Sequence, residues 1–298
     1  MVGRARDYLT PDDAGRGRVL AEGSFRLSMR DDKTITAISA DPLRPGVETL
    51  VGERGGNHLR MVMRERLPEL IARGDPLYLV LDDISGTALV SAAAWSQWYP
   101  DYAEKMRAQM GDGAMAKMMA DRANVCFGLQ PEHSGMWPEG PPYAVADADA
   151  GDLVNPADPE GWHALHDQDG PGFRRARRID VIRDEAAGRL RVDSMFQDSA
   201  KAKDGGRIAI HEYLLRATAD LDTLEILTLE AVPRILPFSE CPGAIANIQR
   251  LIGKRLADVR SEVLAQLRGA EGCTHLNDAL RALADVPTLA GSLLAKVV

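Results

Sequence analysis

Residues 207–231 read RIAIHEYLLRATADLDTLEILTLEA. Arg207 to Thr218 is rich in β-branched and aromatic residues, as a strand should be. Asp220-Leu221-Asp222 is an acidic turn, and Leu224 to Ala231 returns as a second strand. The loop after this hairpin carries Pro233 and Pro237. From Pro242 to Leu267, the residues Ile245, Ile248, Leu251, Ile252, Leu256, Val259, Val263 and Leu267 fall at helical spacing, which predicts one long helix. Gly269 to Gly272 breaks it, and His275 to Ala284 predicts a last helix. Upstream, Ile179 to Ile182 and Leu190 to Phe196 read as two further strands. Strands in a run followed by helices in a run predict an α+β segment, with helices packed on one face of an antiparallel sheet.

The other end of the chain repeats this order. Leu20 to Met29 ends in alternating apolar residues (Phe25, Leu27, Met29), Asp31-Asp32-Lys33 turns, and Thr34 to Ala40 returns. After Pro42 and Pro45, the residues Leu59, Val62, Met63, Leu67, Leu70 and Ile71 lie on one helical face. Periodicity leaves Leu77 to Leu81 open between strand and helix; its match to Thr274–Leu283 selects helix. Gly55 to Leu67 aligns with Gly243 to Leu256. The fold class is therefore α+β, in two related units. The first unit runs over 1–98. A Met- and aromatic-rich helical insertion covers 99–142, an acidic Gly/Pro-rich linker 143–172, and the second unit 173–298.

The 298 residues carry a formal net charge of -8 and a sequence pI of about 5.3. Such a chain has no general attraction to nucleic acid or to anionic lipid. The run Arg174, Arg175, Arg177 and Arg178 reads as a solvated strand edge or loop rather than a phosphate site. No apolar stretch is long enough to span a bilayer, and the first residues lack the apolar core of a signal peptide. Three cysteines build no disulfide framework, so a cytoplasmic protein is expected. A homodimer is possible.

Two of those cysteines, Cys241 and Cys273, stand where helices are predicted to begin, and His211 opens a strand. A helix N-terminus favours the thiolate. Zinc takes thiolate and imidazole donors tetrahedrally. His211, Cys241 and Cys273 are thus the expected metal ligands. His275 is expected as a general acid or base, or as a fourth ligand. The first unit has none of these groups, and Tyr78 stands near the His275 position. Trp95, Trp98, Tyr99 and Tyr102 are expected to line a substrate pocket or to pack in a core. Weaker constellations are His163-x-x-His166-Asp167 in the linker and Asp82-Asp83 after an apolar run. Gly52-Glu53-Arg54-Gly55-Gly56 has no nucleotide-motif spacing.

Several strings carry a resemblance. They are Arg177-Arg178-Ile179-Asp180, His211 with Leu215-Arg216-Ala217-Thr218, Cys241-Pro242-Gly243-Ala244, and Gly272-Cys273-Thr274-His275-Leu276. They resemble the bacterial family called domain of unknown function 2889, over about Phe173 to Leu289. The order of hairpin, cysteine, long helix and second cysteine is also distantly similar to the NifU-like iron–sulfur scaffolds. That likeness implies a first cysteine near Ile210 or His211, where this chain has none. The remaining His/Cys/Cys set suits zinc better than a cluster.

The function expected from the residues is a zinc-dependent lyase or hydrolase acting on a small apolar or aromatic metabolite. The alternatives are a binding or scaffold protein with a structural zinc site, and a metal-free Cys/His enzyme.

Overall fold

The computed structural model describes residues 1–11, 16–136, 148–166 and 168–294. The chain divides into two compact units. The first comprises Met1–Val90 and Val154–Ala164 with the end of the chain from Gly291; the second comprises Ser91–Leu153 and Leu165–Ala290. Among the described residues, no single helix is long and apolar enough to cross a membrane.

The first unit opens with an antiparallel sheet of β1 (Val2–Leu9), β2 (Arg18–Met29) and β3 (Ile35–Asp41), in that order. Helices α1 (Asn57–Arg66), α2 (Pro68–Arg73) and α3 (Pro76–Val90) follow. Residues 77–81 are helical, as the repeat predicted. Phe25, Leu27 and Ile35 of the sheet bury against Leu59, Met63, Leu77, Leu81 and Ile84 of the helices.

The second unit begins with α4 (Ala92–Trp98) and α5 (Tyr102–Arg122), the latter kinked at Gly111. Its sheet is β4 (Phe173–Asp184), β5 (Arg189–Lys201), β6 (Arg207–Asp220) and β7 (Ile226–Ile235), antiparallel throughout and in sequence order. After it come α6 (Val259–Gln266), α7 (Thr274–Ala282) and the start of α8 (Val286–Leu294). Leu190, Val192, Phe196, Tyr213 and Leu215 form a core with Val259, Val263, Leu276, Leu280 and Leu283. Each fully buried leucine there contributes roughly 2 kcal/mol. The protein is thus an α+β fold with two antiparallel sheets.

The long helix expected over 242–267 is interrupted. Cys241–Leu251 is wound as 3-10 helix, and α6 starts only at Val259. Between them Gly253 takes a left-handed φ of 79°. Its N–H donates to Ile226 O at 2.8 Å, and Ile226 N–H donates to Lys254 O at 2.9 Å. The backbone leaves the helix because it finds strand partners. Apolar spacing runs unbroken through this excursion, so periodicity alone does not detect it.

The first unit contains the same excursion. Leu50-Val51-Gly52-Glu53-Arg54 matches Leu251-Ile252-Gly253-Lys254-Arg255. Gly52 has φ 89°, its N–H donates to Ile35 O at 2.8 Å, and Ile35 N–H donates to Glu53 O at 2.9 Å. Lys33 and Leu224, which precede the two returning strands, both have positive φ. The sheets also share a β-bulge. Asp7 faces Ala21 and Tyr8 faces Val19, with Leu20 skipped; Asp198 faces His211 and Ser199 faces Ala209, with Ile210 skipped. These coincidences fix the alignment of the two units. They correct the expected pairing of Gly55–Leu67 with Gly243–Leu256. They also place Ala21 opposite Asp7 where the second unit has His211 opposite Asp198.

A side chain at Gly52 or Gly253 would be strained by its φ. Gly52→Ala and Gly253→Ala should each cost about 1–2 kcal/mol of unfolding free energy by chemical denaturation. Unequal or absent effects would contradict the shared geometry.

Candidate metal centre

Strand register builds the floor of the site. Arg175 on β4 stands opposite Asp198 on β5, and Asp198 stands opposite His211 on β6. Side chains at directly paired positions lie on the same face of a sheet. The three therefore form a row across three strands, on the face that also carries Phe196 and Tyr213. The bulge at Ile210 sits beside His211; bulges commonly re-aim a neighbouring side chain. Helix α7, starting at Thr274, brings His275 and Asp278 to the row.

Arg175 grips Asp198 at both oxygens, Nε to Oδ1 at 2.8 Å and Nη2 to Oδ2 at 2.8 Å. Its Nη1 donates to Asp278 Oδ2 at 2.6 Å, and Arg281 Nη1 donates to Asp278 Oδ1 at 2.9 Å. The Arg175 guanidinium also lies 4.9 Å from the Phe196 ring centroid, a cation–π distance. The two imidazoles stack with centroids 3.4 Å apart and planes at 16°. His211 Nδ1 lies 3.5 Å from Asp198 Oδ2, and His275 Nε2 lies 3.8 Å from the same oxygen. His211 Nδ1 is buried and makes no hydrogen bond. Asp198, His211 and His275 each offer a donor atom within 4.8 Å of the other two.

Electrostatics suit this set to a cation. Burial alone would raise the Asp198 carboxyl, but the Arg175 guanidinium holds it well below the usual carboxylate range. Burial pushes His211 down, and the Asp198 carboxylate only partly restores it. Burial and then the neighbouring His211 push His275 well below its ordinary value. Both rings are therefore neutral at neutral pH, the form that ligates a metal. Oδ2 accepts one bond from Arg175 and has a further lone pair toward the imidazoles.

Of the expected ligands, the structure brings His211 together with His275. Among the described residues, Cys241 and Cys273 fall outside this donor group. They lie instead in a thiol neighbourhood with Tyr213 and Cys126. Tyr213 donates its hydroxyl to Cys273 Sγ at 3.4 Å. Burial pushes the Cys241 and Cys126 thiols up to about 12 and raises Cys273 as well. A thiol held protonated is a poor nucleophile. The loop after α5 closes over these thiols. Phe127 N–H donates to Gly272 O at 2.8 Å, and a side chain at Gly243 would strike the Phe127 ring.

The expected pocket residues lie on and after α4. Its Ala93 and Ala94 pack on Ala200 and Ile210, with Phe173 against them. Trp98 Nε1 donates to Lys201 O at 2.8 Å. Trp95 stacks on Tyr99 at 5.8 Å and on Tyr102 at 6.2 Å; Trp95 is 46% exposed and Tyr99 45%. His163 meets Trp162 edge-on within the first unit, and Asp167 lies outside the described residues.

Four residues of the network, Arg175, Asp198, Asp278 and Arg281, escaped the sequence reading. Asp198 lies beyond Phe196, where the expected strand stopped. The alternation Phe196, Asp198, Ala200 continues the inward face and was the available signal.

Residues 173–289 match the family model described as "Protein of unknown function (DUF2889)". The match spans β4 through α7 and includes all the residues of this network. No curated protein and no solved structure matches the chain.

Two outcomes follow from the burial of these charges. Arg175→Met leaves Asp198 and Asp278 without this partner and should cost about 3–5 kcal/mol in denaturant unfolding. The imidazoles have folded-state values below their ordinary 6.5. The unfolded chain therefore binds more protons below that pH, so their contribution to stability is present above about 6.5 and lost as pH falls. Unfolding free energy of the metal-free protein should decline through that window, and His275→Gln should flatten the decline.

Proposed function

We propose that the second unit is a metal-dependent hydrolase or lyase whose zinc-like ion is held by Asp198, His211 and His275. The observation that carries this reading is the meeting of a buried imidazole, a partly buried one and a buried carboxylate within 4.8 Å, the imidazoles held toward the neutral form and the carboxyl toward the ionised form. Three protein ligands leave a coordination position for water or substrate. The ion would polarise a carbonyl or lower the pKa of a bound water. In this reading His275 is a ligand rather than the acid or base first expected, and the cysteines are packing residues. Arg175 fixes the Asp198 carboxylate, a task that outer groups commonly perform for metal ligands.

The substrate class follows from α4. Trp95 on α4 and Tyr99 just after it, stacked and half-exposed, offer a flat apolar surface, which suits a small apolar or aromatic molecule. The acidic net charge of -8 argues against nucleic acid. The three cysteines are free, in keeping with a reducing compartment.

The burial of Asp198, which has no exposed side-chain surface, favours a second reading in which the ion is structural. A structural ion would be closed to exchangeable ligands.

Purified without a metal-binding tag, the protein should carry about one zinc per chain, because only the second unit has both histidines. His211→Ala and His275→Ala should each lose it, whereas Cys241→Ala and Cys273→Ala should keep it. Loss of metal in the cysteine variants and retention in the histidine variants would overturn the assignment.

A further inference from the structure

Tyr213 is wholly buried in the core of the second unit, with Phe196, Leu215, Leu276 and Leu280. Its hydroxyl donates to Cys273 Sγ at 3.4 Å. A buried hydroxyl costs free energy that one bond to a weakly accepting sulfur returns only in part. Phenylalanine would fill the same space without that cost. What the bond supplies is a fixed point, because apolar contacts let a helix slide on a sheet and a directed bond does not.

That point lies beside the donor cluster. His211 and Tyr213 are alternate residues of β6, paired with Asp198 and Phe196, so both face inward. Cys273 immediately precedes α7, and His275 is the second residue of that helix. The Tyr213–Cys273 bond and the His211–His275 stack therefore join the same strand to the same helix start. On the other side of His275, Asp278 is held by Arg175. The first unit has a different arrangement. By the shared bulge, Gly23 takes the place of Tyr213. A side chain there would meet Leu77 Cβ at 2.8 Å, so α3 begins directly against its strand. The unit without the two histidines of the cluster also lacks the tyrosine–thiol pair.

We infer that Tyr213 is a positioning residue of the metal centre, holding the start of α7 through Cys273 so that His275 meets Asp198 and His211. The inference rests on the metal-dependent reading above, and it gives Cys273 a task other than ligation.

The test is a titration of the metal-free full chain with Co2+, followed by its visible absorption. All three ligands remain in Tyr213→Phe, so it should still bind the ion, but about tenfold to a hundredfold more weakly, the usual loss when an outer partner of a metal ligand is removed. Its d–d bands should shift as His275 moves, a change that loss of stability alone does not produce. Cys273→Ala should lose as much affinity as Tyr213→Phe, and Cys273→Ser, which keeps an acceptor, should recover most of it. The double variant of Tyr213→Phe with Cys273→Ala should bind no more weakly than either single variant, since both changes remove the same bond. If Tyr213→Phe does not fold, the comparison of Cys273→Ala with Cys273→Ser decides. Wild-type affinity and spectrum in Tyr213→Phe and Cys273→Ala, with binding lost in His275→Ala, would overturn this inference and leave the metal site standing. No Co2+ binding by the wild-type chain would overturn both.

Discussion

Asp198 is ionised with no exposed side-chain surface, and the buried guanidinium of Arg175 is what makes this tolerable. The pair ties β4 to β5, and Nη1 of Arg175 ties Asp278 of α7 to the same sheet, while Arg281 of α7 holds the other Asp278 oxygen. That network sets the height and rotation of α7 above the strands, and with it the position of His275. His211 comes from the strand on the other side of Asp198. The site is therefore assembled by pairing register. A shift of one residue in either ladder would send one member of the row to the opposite face.

The duplication shows which parts of this design belong to the scaffold and which to the site. Both units have a bulge opposite the residue after an aspartate (Asp7 on β1, Asp198 on β5), the left-handed glycine excursion, and helices packed against the sheet. Only the second has a histidine opposite that aspartate. Asp7 pairs with Ala21 in the first unit, and its α3 opens Pro76-Leu77-Tyr78 with no imidazole.

Much of the architecture was legible in the sequence because it depends on local alternation and spacing. The hairpin of β6 and β7, the helix of α7, and the repeat of the whole order could be read from apolar periodicity and turn residues. Residues 77–81 were ambiguous alone and were resolved by the repeat. The departures were physical rather than random. The 3-10 winding and the excursion at Gly253 are driven by backbone bonds to Ile226, which no periodicity reports. The candidate site was half legible. His275 stood out as an imidazole at a helix start, and His211 as an imidazole expected to open a strand, although it lies inside β6, four residues after its first residue. The cysteines also stood out, but their environment is apolar, and burial raises their thiols. Arg175 belongs to an arginine run that reads as a solvated edge, yet its side chain is buried against Phe196. Its partners are 23 and 103 positions away in sequence, so only the register and the placement of α7 reveal them.

The most direct test of the assigned donor set is the X-ray absorption spectrum of the zinc-loaded protein. The account predicts a first shell of nitrogen and oxygen only, at about 2.0–2.1 Å, with the multiple-scattering signature of two imidazoles. A sulfur shell at about 2.3 Å would contradict it and return the ion to Cys241 and Cys273.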